Sequence, residues 1–322
     1  MELSRTINSD KRYYLDENTI ENAASFLQTM RVFNDAKIDL YNALYDQKYL
    51  ASGPLIDHAY PVFLKEKYKT NDYYNAAVYS AASGSISSQK ELKKYYSTTI
   101  TADLKTRDEK IQMIQEALDK KKAVKNSIRI YRKDGRWVTP YPRCQLKVKG
   151  LMIVLFNKTV VKLDEYERSV EADIRKLKTR LALVTEARKR KEKKLENIKN
   201  LPPERIVFGG KKLYSEKDTV GITKSAEDNK TSQKALKEWK QEFFEKRHQS
   251  MALPGRHTSK YGNFLCKYDG KDLSVTCIDG TTTVFHDFKL PRYNEAFQNN
   301  FTCKPEDRQS ICYNFTVKRD RK

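Results

Sequence analysis

The hydrophobic period of this chain changes near Ser127, and the change limits the folds open to it. Ahead of it, Ile20, Ala23, Ala24, Leu27, Met30, Phe33, Ala36, Leu40, Ala43 and Leu44 recur mostly at three- and four-residue steps. That spacing lines one face of an α-helix. It predicts one long helix or two up to about Tyr49, with Asp16 as N-cap and Thr19 and Ile20 in the first turn. Short strands are expected before it, at 3–8 and 12–15. Ser52-Gly53-Pro54 breaks the stripe. A short helix at 60–68 follows, then one capped by Asn71 or Asp72 that stops at Ser83-Gly84-Ser85. Further helices are expected at 88–96 and 101–125.

Past Ser127 the apolar runs shrink to strand length between turn residues. Asp134-Gly135 reads as a hairpin turn between 128–131 and 136–138, and strands are expected at 144–148, 151–156 and 159–163. A long helix then opens at Asp164. Its seam, Tyr166, Val170, Ile174, Leu177, Leu181 and Val184, lapses from Arg188 to Lys194 and returns at Leu195 and Ile198, before Pro202-Pro203 ends it. A second helix at 233–247 carries Leu236, Trp239, Phe243 and Phe244, and the two are predicted to pair as an antiparallel hairpin. Strands at 263–268, 273–278 and 282–288 follow, joined by Asp269-Gly270-Lys271-Asp272 and Asp279-Gly280, with a last strand at 310–318. The class is α+β. The organisation is 1–15, a helical block 16–126, strands 127–163, a basic helical hairpin 164–250 and a β region 251–322.

Charge narrows the function. The chain holds 63 Lys plus Arg against 42 Asp plus Glu, a net +21. Residues 1–130 contribute 20 basic and 17 acidic side chains, and residues 131–322 contribute 43 and 25, a net +18. Such a field attracts a polyanion, of which nucleic acid is the natural example. A generic basic surface or a solvated coiled coil is the plainer alternative. No run of about 18 apolar residues occurs, so no membrane span is expected. The start, Met1-Glu2-Leu3-Ser4-Arg5, is unlike a signal peptide. Cys144, Cys266, Cys277, Cys303 and Cys312 form no CxxC and are odd in number, which points to a reducing, cytoplasmic setting. The spacings of the last four match no standard zinc site.

A complete active site is not expected. The carboxylates sit on amphipathic helices beside Lys or Arg, as on solvated faces, and Asp164 and Asp279 read as a cap and a turn. Phe208-Gly209-Gly210-Lys211-Lys212 lacks the phosphate-loop spacing and fits a backbone-phosphate contact at a glycine turn better. What remains is binding chemistry. The candidates are Arg188, Lys189, Arg190, Lys191, Lys193 and Lys194 on the long helix, and Lys211 and Lys212 at the glycine turn. Arg256, Lys260 and Asn263 stand before a strand, and Arg132, Arg136 and Trp137 around Asp134-Gly135. Trp137, Tyr141, Tyr261 and Tyr268 are candidates for stacking on bases. Each also fits a solvated helix face or ordinary core.

Several of these segments carry a family likeness. Arg205-Ile206-Val207-Phe208-Gly209-Gly210-Lys211-Lys212-Leu213-Tyr214, the helix with Trp239 and Arg247, Leu253-Pro254-Gly255-Arg256, and Lys260-Tyr261-Gly262-Asn263-Phe264 resemble the middle of TnpB-type proteins. These are transposon-encoded, RNA-guided relatives of type V CRISPR effectors, often labelled transposases of insertion sequences. The later hairpins and Tyr313-Asn314-Phe315-Thr316-Val317 resemble the final strands of that family's wedge, and 16–126 its helical recognition lobe. The resemblance implies an OB-like wedge β-barrel with an inserted helical lobe. It further implies binding of a guide RNA and of target double-stranded DNA beside a short motif. In that family a RuvC nuclease with metal-binding carboxylates follows such a strand, whereas this sequence ends at Lys322. The expectation is recognition without cutting: no cofactor in this chain, and a divalent metal only where a RuvC domain is supplied elsewhere, for instance by a separate nuclease half. An unguided basic RNA- or DNA-binding scaffold or repressor is the alternative.

Overall fold

The computed structural model describes residues 19–52, 59–155, 157–217, 226–288 and 300–317. The strands expected at 3–8 and 12–15, the Asp16 cap and the Gly53-Pro54 break lie outside them. In chain order the elements are β1 (Ile20–Glu21), α1 (Ala23–Tyr45), a π-helical turn (Asp46–Leu50), α2 (Tyr60–Tyr68), α3 (Asp72–Asp134), β2 (Lys147–Lys149), β3 (Met152–Val154) and β4 (Val160–Lys162). Then come α4 (Leu163–Asn200), α5 (Lys211–Ser215), α6 (Ala226–Arg247), β5 (Ser250–Leu253), β6 (Cys266–Tyr268), β7 (Leu273–Thr276), β8 (Thr282–Phe285), a short 3-10 turn (Pro305–Asp307) and β9 (Tyr313–Thr316). The fold is mixed α and β. The chain forms two compact units, residues 1–89 with 204–322, and residues 90–203.

The first unit is built on the α1 stripe. Phe26, Met30, Phe33, Ala36, Leu40, Tyr41 and Leu44 are buried together with Leu64 of α2, Tyr74 and Val78 of α3, and Met251, Val275 and Phe285 of the strands. Asn34 is buried on the same helix, and its Nδ2 donates to the backbone oxygens of Met30 and Ser250, tying α1 to β5. Thr19 and Ile20 do not open the helix as expected. Ile20 pairs with Phe285 as β1, buried by the sheet, and the helical period starts one turn later at Ala23. The four-stranded antiparallel sheet runs β1-β8-β7-β6, and β5 pairs with β9. The two expected turns are present: Asp269 Oδ1 accepts from the Lys271 and Asp272 amides, and Asp279 Oδ1 from the Thr281 amide.

Asn71 caps α3, its Oδ1 accepting from the amides of Tyr73 and Tyr74. The helix then runs straight through the expected breaks to Asp134. Ser and Thr signal breaks because their hydroxyls compete for backbone groups. Here those hydroxyls turn back onto carbonyls four residues earlier: Ser83 to Tyr79, Ser85 to Ala81, Thr99 to Tyr95 and Thr101 to Ser97. Burial of Ala82, Ile86, Ile100 and Ile114 along the way outweighs the cost of about 1 kcal/mol for Gly84 in a helix. Asp134-Gly135 is likewise no hairpin. Ile128 is fully buried in α3, and Gly135, at φ +66°, donates its amide to Tyr131 and ends the helix. The left-handed conformation suits a hairpin turn and a helix end alike, so the dipeptide does not distinguish them.

In the second unit the later part of α3 packs against α4. Ile100, Leu104, Arg107, Ile111, Ile114, Leu118 and Lys121 on α3 face Val170, Ile174, Leu177, Leu181, Val184, Arg188, Lys191 and Leu195 on α4, all at three- and four-residue steps and all at least half-buried. Ion pairs set the register: Lys125 with Glu171, Lys121 with Asp173, Asp108 with Arg188, and Asp103 with Lys191. Numbers fall on one helix as they rise on the other, so the pair is antiparallel. Lys93 Nζ donates to the carbonyls of Lys199 and Leu201 and caps the C-terminus of α4. The antiparallel partner of α4 is therefore α3. Helix α6 belongs to the other unit, where Trp239 Nε1 donates to the Leu213 carbonyl and Phe243 lies against Tyr214. Helix α4 starts at Leu163, so Asp164 stands in its first turn rather than at the cap.

Between α3 and α4 the chain forms the three-stranded sheet β2-β3-β4. Ile153, Val148 and Val161 face a second core with Val124, Ile128, Leu163 and Val170. Among the described residues no sheet closes into a barrel.

One joint in the first unit titrates. His286 lies 3.4 Å from Asp272 and 2.9 Å from Glu21 of β1, and hydrogen bonds to Asp272 and then Glu21 raise its pKa. The Asp287 amide, with His286, holds the Asp272 carboxyl below the usual range. The histidine contribution is complete below its ordinary value and is lost as pH rises through the raised one; the aspartate contribution is lost as pH falls through its lowered value. Both act between about pH 4 and pH 6.5. The melting temperature of His286→Gln should therefore fall furthest below that of the natural chain between about pH 4 and pH 6.5, with the gap closing as pH rises through the raised histidine pKa. A gap independent of pH refutes the linkage.

Candidate nucleic-acid interface

The structure sharpens the charge map. Residues 90–203 hold 31 basic and 15 acidic side chains, a net +16, whereas the other unit holds 32 and 27, a net +5. Within α4 the acidic residues cluster in the first three turns, where Glu167, Glu171 and Asp173 pair with Arg132, Lys125 and Lys121 of α3. The basic residues follow toward the C-terminus. Both placements suit the helix dipole.

The run Arg188 to Lys194 sits where the apolar seam lapses. Arg188 and Lys191 occupy seam positions opposite Arg107 and Leu104. Arg188 is held by Asp108 and Glu192, Lys191 by Asp103 and Arg190 by Glu186. The Lys191 hydrogen bond, with Arg107 behind it, keeps the Asp103 carboxyl below its ordinary pKa. Lys189, Lys193 and Lys194 are exposed and form no ion pair among the described residues. At about 100° per residue, Lys189, Arg190, Lys193 and Lys194 share the outward half of the helix. An open cleft of about 490 Å³ lies beside them, floored by Leu183 and Ala187 and rimmed by Arg107, Glu186, Arg190, Lys191 and Lys194. Its rim thus carries four cations against one carboxylate.

The other sequence candidates separate. Arg132 is committed to Asp164 and Glu167, while Arg136 is exposed. Trp137 is half-buried against the second core, edge-on to Tyr131, and Tyr141 joins that core. Lys211 pairs with Glu204, and Lys212 is exposed. The glycine turn serves packing: a Cβ on Gly209 would come within 2.9 Å of Phe243 and Arg247. Arg256 and His257 are exposed, and Lys260 lies over the Phe301 ring, which Tyr261 meets edge-on. Tyr268 is buried, its hydroxyl donating to the Gly270 carbonyl.

Asn263, read as a contact residue, is 2% exposed and spoken for. Its Nδ2 donates to the carbonyls of Leu253 and Ile311, and its Oδ1 accepts from the amides of Leu265 and Cys266. A polar residue in a loop before a strand gives no sign of such burial. The structure also brings forward residues that sequence reasoning passed over. Tyr73 and Phe264 stack at 4.7 Å, both exposed, beside Arg256 and Pro254 in an open groove of about 230 Å³. No sequence pattern links two residues so far apart. The stretch 135–162 holds six basic residues and no acidic one, a signal that was present in the sequence.

Among the described residues no group of three His, Cys, Asp or Glu side chains is gathered to hold a metal, and no helix is long and apolar enough to cross a membrane. Comparison with protein-family profiles, curated proteins and solved structures finds no match.

Asn263→Ala should act on stability. It leaves the Leu265 and Cys266 amides without their acceptor, and each buried orphan costs about 1–3 kcal/mol. Thermal denaturation should show a clear loss for Asn263→Ala and almost none for Lys260→Ala. Equal melting temperatures for the two would contradict this assignment.

Proposed function

We propose that this chain is the nucleic-acid-binding, RNA-guided DNA-recognition portion of a TnpB-like, transposon-associated protein. The observation that carries the binding reading is the segregation of +16 onto residues 90–203, with Lys189, Arg190, Lys193 and Lys194 facing outward. Neutralising phosphates with such side chains releases counterions and gives affinity without sequence preference. In this reading specificity comes from base pairing with a guide. The guide, the OB-like wedge and the target duplex rest on the sequence resemblance at 205–214, 253–264 and 313–317.

Purification from the host, sequencing of any bound RNA, and measurement of target-DNA binding with and without that RNA test the reading. A structured RNA that is required for DNA binding is the expected result. DNA binding of equal strength with no RNA present favours an unguided binder instead.

The acidic residues that hold the α4 cations make a further prediction. Asp103→Asn unties Lys191 and Arg107. One added phosphate contact deepens the salt slope by about 0.9, so affinity for RNA or duplex DNA should rise up to roughly eightfold at about 0.1 M salt. Fluorescence anisotropy across a salt series reads this directly, and Lys193→Gln should move it the opposite way.

A further inference from the structure

We infer that the outer face of the β2-β3-β4 sheet is a second nucleic-acid contact, separate from the α4 run. The inference rests on the reading that the chain binds nucleic acid. The ladder fixes which side chains face out. Val148, Ile153 and Val161 form the inward row on the core. Strand side chains alternate, so Lys149, Met152 and Lys162 form one outward row and Lys147, Val154 and Val160 the next.

All three lysines are exposed, and none makes an ion pair among the described residues. This is the contrast with α4, where Arg188, Arg190 and Lys191 are each tied to a carboxylate. No acidic residue occurs from Gly135 to Leu163, so the strands bring no internal counter-charge. Lys149 and Lys162 stand two strand spacings apart, about 9.6 Å, and Lys147 and Lys149 about 6.8 Å along one strand. Duplex DNA carries a phosphate for every ~1.7 Å of axis, so a backbone laid on this face meets several charges within the span of the three lysines. Met152, Val154 and Val160 between them offer neither donors nor rings, so the contact is to phosphate and sugar and independent of sequence.

The test combines Lys147→Gln, Lys149→Gln and Lys162→Gln in the full chain. A labelled RNA hairpin and a labelled DNA duplex are titrated across a salt series. Expected are an unchanged melting temperature, affinity at least tenfold weaker near about 0.1 M salt, and a salt slope shallower by about 1 for each lysine. If the natural chain binds and the triple variant matches it in affinity and slope, this contact is wrong while the proposed function stands. If the natural chain binds neither probe, both fall. Vesicles rich in phosphatidylserine form the third arm, because Leu151 is 81% exposed at the β2-β3 turn. Vesicle binding that the triple variant loses, with RNA and DNA binding unchanged, overturns the inference in favour of a membrane surface.

Discussion

Two helices with side chains packed every three or four residues share one seam, and charged pairs along its flanks hold it in register. Lys125–Glu171, Lys121–Asp173, Asp108–Arg188 and Asp103–Lys191 all agree on one antiparallel alignment. Exposed ion pairs contribute little singly, about 0–1 kcal/mol. Their agreement matters more than their strength, because only this alignment makes all four pairs at once. The β2-β3-β4 sheet follows from this register. It can bury Ile153 only because Ile128, Leu163 and Val170 arrive together at the end of the seam.

The same seam divides the positive charge into two kinds. Where it turns polar, at Arg107, Arg188 and Lys191, carboxylates from both helices are already in place. Those cations hold the fold first and are partly screened from a ligand. Lys147, Lys149 and Lys162 of the sheet and Lys189, Lys193 and Lys194 of α4 have no such partner among the described residues, while Arg190 is paired with Glu186. A basic run that is conspicuous in sequence is thus not the same as a field available to a polyanion.

What could be read from residues alone was set by local rules. The α1 stripe, the helix at 60–68, the Asn71 cap and the Asp269 and Asp279 turns follow from periodicity and side-chain hydrogen bonds within a few residues, and the structure contains them. The readings that changed depended on distant partners. Ser83-Gly84-Ser85 looked like a break because burial of Ala82 and Ile86 is invisible locally. Asp134-Gly135 looked like a hairpin because one backbone conformation serves two ends. The apolar face of α4 was legible, but its choice of α3 over α6 was written in pairs of opposite charge some 50 to 90 residues apart. Asn263 belongs with these: its four backbone partners lie on three separate segments.

Among the described residues, strands β2 and β4 are the two open edges of a three-stranded sheet, and both carry outward lysines. An open edge is a template for another strand, and like charge on it keeps a second copy away. Lys147, Lys149 and Lys162 therefore guard the chain against edge-to-edge association even with nothing bound. On the reading proposed above, a polyanion that neutralised them would also remove that guard, coupling occupancy of the face to the solubility of the sheet's edges.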